Sequence, residues 1–445
     1  MNRNTRLKFQ VITLLFMMFY TITYFLVGLS AYNNIVNIII AISTLFLIYL
    51  HFRYRKKSNY FDFETIFITL LVITGYLYPL LIYDPINPFS NFFNLQFNVY
   101  TMNKSLILYS IAISAFMLGI SYIKNIVRQN DIRDVINTRY ISIIVIILSL
   151  IFIYIGSVQY FQELYLRTTG TFNEKGVWQV MALLHTFTIV LIATEYYNVQ
   201  ISKEYKIHKV TIIAIIGIGI TMLYAGNRTF ATYLILPIII LFYGVSNGIK
   251  FYKFILILII GTIIMWIIQR LRAGLHISIP DQWTTLLSDL IIPSRNNYIV
   301  FEYVNNYGFT YGKNMLNGLI GIIPSLERIL VTYFDVNTRL YGSAEIFTDY
   351  TFNGNANFGL GTTIIADVYL SFGVLGIIVL FFSLGYFSQK YYIGIISMNY
   401  KYIVIYSALA SFSIFLVRAS FTHPIKIIVW SYIVALINKR ANYNK

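Results

Sequence analysis

Three observations predict an all-α polytopic integral membrane protein: 58% of the residues are hydrophobic, only 11% are charged, and the basic residues fall in short clusters between apolar runs. A mean hydropathy of +0.69 lies far outside the soluble range. At 445 residues the chain has room for about twelve transmembrane helices of ~20 residues and one substantial loop. A net charge of +16 would suggest nucleic acid as the partner of a soluble chain. Here the clustering points instead to membrane topology, with anionic lipid headgroups as partners and no nucleic acid. There is no cysteine, which excludes disulfides and thiol metal sites. The first apolar run, Phe9 to about Tyr32, is too long for a signal h-region, so no cleavable signal is expected.

The spans follow from the apolar runs and their punctuation. Arg3, Arg6 and Lys8 are expected to hold the N-terminus in the cytoplasm. Spans 1 (9–31) and 2 (35–52) form a hairpin that ends at the basic cluster Arg53, Arg55, Lys56, Lys57. Span 3 (63–83) leads to a Pro- and Phe-rich outer segment, and span 4 (104–123) returns to the basic stretch Lys124–Arg139. Span 5 (140–157) exits and span 6 (177–199) returns to Lys203, Lys206 and Lys209. Spans 7 (210–226) and 8 (230–247) are joined by Asn227-Arg228-Thr229, and Lys250 and Lys253 follow inside. Span 9 (254–268) exits, span 10 (363–387) re-enters, and spans 11 (402–419) and 12 (425–438) close the chain with Lys439, Arg440 and Lys445 inside. This alternation puts 21 of the 33 Lys and Arg on the inner side although the outer loops are longer, as the positive-inside rule requires. Glu64 and Glu195 lie near inner span ends and are expected to reach the interface.

The chain thus divides into residues 1–268 (spans 1–9), an outer loop 269–361, and residues 362–445 (spans 10–12), all one integral membrane domain. The 93-residue loop has no continuous apolar span. Its Trp283, Tyr298, Tyr303, Tyr307 and Tyr311 argue against disorder, and with its acidic residues and arginines it reads as the cap of an active site.

Of the twelve basic residues assigned outside, eight are arginines: Arg167, Arg228, Arg270, Arg272, Arg295, Arg328, Arg339 and Arg418. Topology needs only positive charge, whereas bidentate recognition of phosphate or carboxylate wants the guanidinium fork. The excess points to an anionic ligand on the outer face. Arg228 stands in a three-residue turn against the positive-inside preference. Arg295, Arg270 and Arg272 are placed to converge with it on a diphosphate, or else to be solvated loop residues. Arg418 and His423 flank the turn between spans 11 and 12 and offer a cation and a titratable imidazole. Asp367 lies one turn inside span 10, where a carboxylate needs a partner, and an outer arginine is the obvious one. Asn353–Gly361 is glycine-rich ahead of a helix, so its amides suit an anion. It lacks the GxxxxGK[ST] pattern of a nucleotide loop. Gly318–Pro324 is apolar enough to dip into the interface and too short to span it. His185, mid-span, reads as a hydrogen-bonded core histidine, with no second metal ligand at helical spacing.

Three stretches carry a resemblance to a known family: Tyr224-Ala-Gly-Asn-Arg-Thr-Phe230, Tyr311-Gly-Lys-Asn-Met-Leu-Asn-Gly-Leu-Ile-Gly-Ile-Ile-Pro324 and Gly361-Thr-Thr-Ile-Ile-Ala-Asp-Val-Tyr-Leu-Ser-Phe-Gly-Val-Leu-Gly376. In their order and spacing the chain resembles the O-antigen and capsular oligosaccharide repeat-unit polymerases (Wzy type), which share the plan of many spans with one long late outer loop. The family more often has Glu where Asp367 stands. The resemblance implies a glycosyltransferase of the bacterial plasma membrane, both termini cytoplasmic, using neither metal nor cofactor. It would move a growing glycan from undecaprenyl diphosphate onto an incoming undecaprenyl-diphosphate-linked repeat unit. Asp367, Arg228, Arg295 and His423 would be its catalytic residues. Arg167, Arg270, Arg272, Arg339, Arg418, Tyr311 and Gly361 would hold diphosphate and glycan. A chain-length regulator and a flippase of the same pathway would be partners. The alternatives are another lipid-linked glycan transferase such as an O-antigen ligase, or a lipid-linked oligosaccharide flippase or other transporter.

Overall fold

A computed structural model describes residues 3–27, 32–83, 97–123, 134–166, 174–202, 204–225, 228–272, 291–324, 326–334, 341–355 and 359–443. Among these, 82% are helical and none lies in a strand, so the chain is an all-α membrane protein. In order the helices are α1 (Arg3–Leu26), α2 (Asn34–Arg55), α3 (Phe63–Leu77), α4 (Thr101–Tyr122), α5 (Arg139–Tyr154), α6 (Ser157–Leu166), α7 (Glu174–Ile201), α8 (Lys209–Tyr224), α9 (Arg228–Ile238) and α10 (Phe251–Arg272). The predicted loop contributes α11 (Asn296–Tyr307), α12 (Leu316–Ile320), α13 (Leu326–Phe334) and α14 (Ser343–Phe352), and the chain ends with α15 (Ile364–Ile396), α16 (Tyr400–Ser411) and α17 (Ile425–Tyr443).

Among the described residues six helices are long and apolar enough to cross a membrane, namely those at Asn4–Leu26, Asn34–Arg55, Phe63–Ile82, Thr101–Tyr122, Gly176–Ile201 and Ile364–Ile396. Each predicted span coincides with a helix, but several are shorter than a bilayer requires. α5 and α8 have 16 residues each. α3 and α9 both pass into π-helical turns, at Tyr78–Ile82 and Ile239–Val245. Each of these lies at or just past a proline, Pro79 and Pro237, whose missing N–H breaks the regular ladder. Predicted span 11 stops early: α16 ends at Ser411, and the chain runs through a 3-10 turn at Leu416–Arg418 before α17.

The core is organised around α4 and α15. α4 is buried on every side, with Leu106, Ile107, Phe116 and Met117 all fully enclosed, as expected of a helix surrounded by others. It crosses α15 backbone to backbone. A Cβ on Gly119 would stand 2.0 Å from the Phe382 carbonyl, and one on Gly385 would stand 2.0 Å from that of Phe116. Small residues at such a crossing are what close packing in lipid demands. Buried hydroxyls and amides tie the other helices in: Thr44 donates to Ser110 (3.0 Å), Tyr76 pairs with Ser110 (2.7 Å), and Asn37 donates to Asn103 (2.9 Å).

The two acidic residues near inner span ends are bonded within the protein. Glu195 is 1% exposed, accepting from Thr211 (2.8 Å) and Tyr205 (3.0 Å). Glu64 is likewise buried, at the centre of a network with His51 (2.6 Å), Arg55 (2.5 Å) and Lys57 (2.8 Å), and Lys57 also pairs with Asp62 (2.9 Å). The basic cluster at the end of α2, expected as a cytoplasmic topology signal, thus also has Arg55 and Lys57 bonded to a buried carboxylate. Arg55 Nη2 extends the network to Gln389 Oε1 on α15 (2.9 Å).

Candidate active site

Thr363 starts α15 by accepting the Ala366 amide on its own hydroxyl, a local N-cap that fixes where the helix begins. One turn on, Asp367 is fully buried. Its Oδ1 accepts from Asn314 Nδ2 (2.8 Å), and its Oδ2 accepts from the Phe421 backbone N–H (2.8 Å). Asn314 Nδ2 also reaches the Asp367 carbonyl (2.9 Å), while its Oδ1 accepts from Ser371 (2.8 Å) and from Thr310. The expected arginine partner is absent: among the described residues no basic side chain lies in ion-pair range of Asp367. Neutral amides occupy both oxygens instead, so the carboxyl fastens three segments: the start of α15, the loop at 310–315, and the 411–424 turn.

The loop segment lies alongside α15 because that helix is broken at Gly373, whose φ of 61° is open to glycine. The break leaves carbonyls without helical donors. Thr310 N–H takes Leu370 O (2.9 Å), and Tyr311 N–H takes Ser371 O (3.1 Å). Tyr311 itself is held at φ 52° with its side chain 78% exposed. Beyond it, the predicted apolar dip packs on α17, where Trp430 Nε1 donates to Ile322 O (2.7 Å).

Arg295 and Gly361 are tied to the start of α15 through Asn296 and Asn297. Asn296 Nδ2 donates to Gly361 O (2.8 Å), Thr363 donates to Asn297 Oδ1, and Asn297 Nδ2 donates to Tyr109 OH on α4 (2.8 Å). This chain pins α11 to the start of α15. Arg295, just ahead of α11, is buried and donates to Thr351 Oγ1 on α14 (3.2 Å). Burial pushes its guanidinium down to about 10, with Glu302 opposing, so it remains a cation at neutral pH.

The 411–424 turn is held to Asp367 through the Phe421 N–H. Arg418 lies over Phe415, 6.0 Å from the ring centroid, and within electrostatic reach of Tyr233. His423 is exposed, with its ring edge-on to Phe412 at 5.4 Å. His185 is the buried core histidine expected, bonded to Ser411 (3.1 Å) and stacked on Tyr233 at 4.8 Å. Compared with protein-family models, with curated proteins and with solved structures, the chain finds no match. The site must therefore be read from its own chemistry.

Asp367, Arg295, Arg418, His423, Tyr311 and Gly361 are thus brought to one end of the bundle, linked through bonded neighbours. Arg228 opens α9, and Arg270 and Arg272 close α10, but their side chains lie outside the described residues, as does that of Arg328. Arg167 and Arg339 also lie outside the described residues. Sequence reading missed Asn314 and Asn297, the two amides that assemble the site. Both sit near features already singled out, one inside the Tyr311–Pro324 stretch and one two residues after Arg295. No group of three His, Cys, Asp or Glu side chains able to hold a metal comes together among the described residues.

Proposed function

We propose that this protein is a membrane glycosyltransferase that polymerises lipid-linked oligosaccharide repeat units, with twelve spans, both termini cytoplasmic and the 269–361 loop on the outer face of a bacterial plasma membrane. The observation that carries the reading is the buried cation Arg295, held at the same helix end as Asp367, whose Oδ2 in turn accepts from the Phe421 N–H in the turn that carries Arg418 and His423. In the proposed reaction a sugar hydroxyl of the incoming repeat attacks the anomeric carbon of the growing glycan. The bond from that carbon to the diphosphate breaks, its electron pair leaves with the polyprenyl diphosphate, and the hydroxyl proton passes to His423. Arg295 and Arg418 stabilise the departing charge, with Arg228, Arg270 and Arg272 as further candidates. Asp367 acts as a positioning residue, since full burial keeps it off substrate while its bond to Phe421 sets the turn that carries both Arg418 and His423.

The test is synthesis from purified undecaprenyl-diphosphate-linked repeats in vesicles. Wild type should make long polymer without added metal or nucleotide sugar. Arg295→Ala should lower the rate by roughly 10² or more, as loss of one oxyanion-type donor does. Arg295→Lys should recover little, because an ammonium cannot grip two oxygens in a plane. Cells lacking the protein should carry single capped repeats. Complete absence of surface repeats would favour a ligase or a flippase, and full synthesis by Arg295→Ala would remove that residue from the site.

The orientation is checked separately by single cysteines, free to introduce because the chain has none. Asn305→Cys and Ser58→Cys are both at exposed positions. The first should react with an impermeant maleimide on intact cells and the second only after permeabilisation. The reverse pattern would invert the whole assignment.

A further inference from the structure

A groove of about 250 Å³ lies between α15, α16 and the start of α17. α16 ends at Ser411, and the turn that follows it closes one end of the groove with Leu416, Phe421 and Pro424. Its walls include Leu384, Phe387, Leu409, Leu416, Phe421 and Pro424. Only Ser383 and Tyr391 among the lining residues carry a polar side-chain atom, and the Ser383 hydroxyl is already spent on the Val379 carbonyl (2.8 Å). Such walls offer a sugar almost nothing to bond, which excludes the glycan as occupant. The volume is also below the usual range for a drug-sized ligand, about 300–1,000 Å³, so the groove suits a section of one chain rather than the paired tails of a phospholipid. From Leu380 to Tyr391 it follows α15 for about 16 Å at 1.5 Å per residue.

What identifies the occupant is the other end. Phe421 is a wall of the groove, and its own N–H is the donor to Asp367 Oδ2 (2.8 Å). Pro424 is a wall and follows His423, and Leu416 is a wall two residues before Arg418. One turn thus carries walls of an apolar slot and, within two residues of them, a cation and an imidazole. We propose that the groove binds the isoprenoid units next to the phosphate of a polyprenyl-phosphate carrier, with the phosphate directed toward Arg418 and His423. The proposal rests on the polymerase reading for the identity of the lipid.

The experiment uses the full-length protein in phosphatidylglycerol nanodiscs and a long-chain polyprenyl monophosphate with a photoreactive diazirine in an isoprene unit near the phosphate. Labelling is expected on peptides covering 383–391 and 416–425, displaced by unlabelled polyprenyl phosphate but not by the bilayer lipid. Leu384→Trp fills the slot and should cut labelling at least tenfold. Ser383→Phe provides the same block with a smaller change should the first variant fail to accumulate. Leu375→Trp, at a 75% exposed position of the same helix, should leave labelling unchanged. Labelling spread over the bundle, or unaffected by whichever blocking variant folds, would overturn the proposal. Because the readout is binding, it is separable from the enzyme assay. Labelling without polymer synthesis would refute the polymerase and keep the groove, and synthesis without labelling would do the reverse.

Discussion

Asp367→Asn is expected to reduce polymer synthesis at least tenfold and to lower stability by about 1–3 kcal/mol, the cost of leaving a buried donor unsatisfied. The carboxylate accepts from two donors on opposite sides, Asn314 Nδ2 and Phe421 N–H. An amide has one accepting oxygen, so in either orientation its NH₂ faces one of them. Removing the charge relieves some desolvation, which keeps the loss from being larger. The functional effect follows from Phe421: once its N–H is released, the turn bearing Arg418 and His423 is no longer fixed. Asn314→Ala should produce the same phenotype, and the double variant should be much less than additive because both remove one contact. Additive losses would mean that the two residues act independently. Asp367→Glu, which the resembling family favours at this position, should not be neutral here. At a fully buried site an added methylene costs typically 1–3 kcal/mol, and it would push the turn outward. Wild-type synthesis by Asp367→Glu would show that the pocket has slack that its burial does not suggest. The measurements are thermal midpoint in detergent alongside synthesis from purified lipid-linked repeats.

The helical membrane class was legible because it depends on patterns within single segments. Apolar runs set the helices and polar residues punctuate them: Asn33 caps α2, Asp62 caps α3 and Thr363 caps α15, each near the predicted span start. What failed was anything that depends on which segments meet. Residues 402–419 read as one continuous span, with no Gly or Pro to stop it. The helix nevertheless ends at Ser411, where Phe412 and Phe415 pack against Tyr233 at 4.7 and 5.3 Å and a tertiary contact overrides the local preference. Asp367 was recognisable as a carboxyl in need of a partner, but the choice between an arginine and an amide 53 positions away cannot be read from spacing. The site residues share this limit. Arg295, Arg418 and His423 were chosen from charge and position, while Asn314 and Asn297, which assemble the site, carry no pattern that marks them out.

The second large effect lies at the far end of α15. Glu64→Gln should nearly abolish accumulation in the membrane, since one carboxylate of 8% side-chain exposure holds Arg55, Lys57 and His51 together. Without its charge, two cations remain with only Asp62, and breaking a buried pair on one side costs roughly 3–5 kcal/mol. That is a large fraction of the 5–15 kcal/mol by which a folded chain is ordinarily stable. Arg55→Lys should be far milder. It keeps the charge beside Glu64 and loses mainly the Nη2 bond to Gln389. The contrast is informative because the network joins α2 and α3 to α15, the helix whose other end carries Asp367. If its role is to fix that helix, the small amount of Glu64→Gln protein that survives, once stabilised by lower temperature, should show reduced abundance but an unchanged KM for lipid-linked repeats. A raised KM at normal abundance would place the network in substrate handling instead. A thermal midpoint equal to wild type would mean that Arg55 and Lys57 find water when Glu64 is lost, and that the cluster is a topology signal after all.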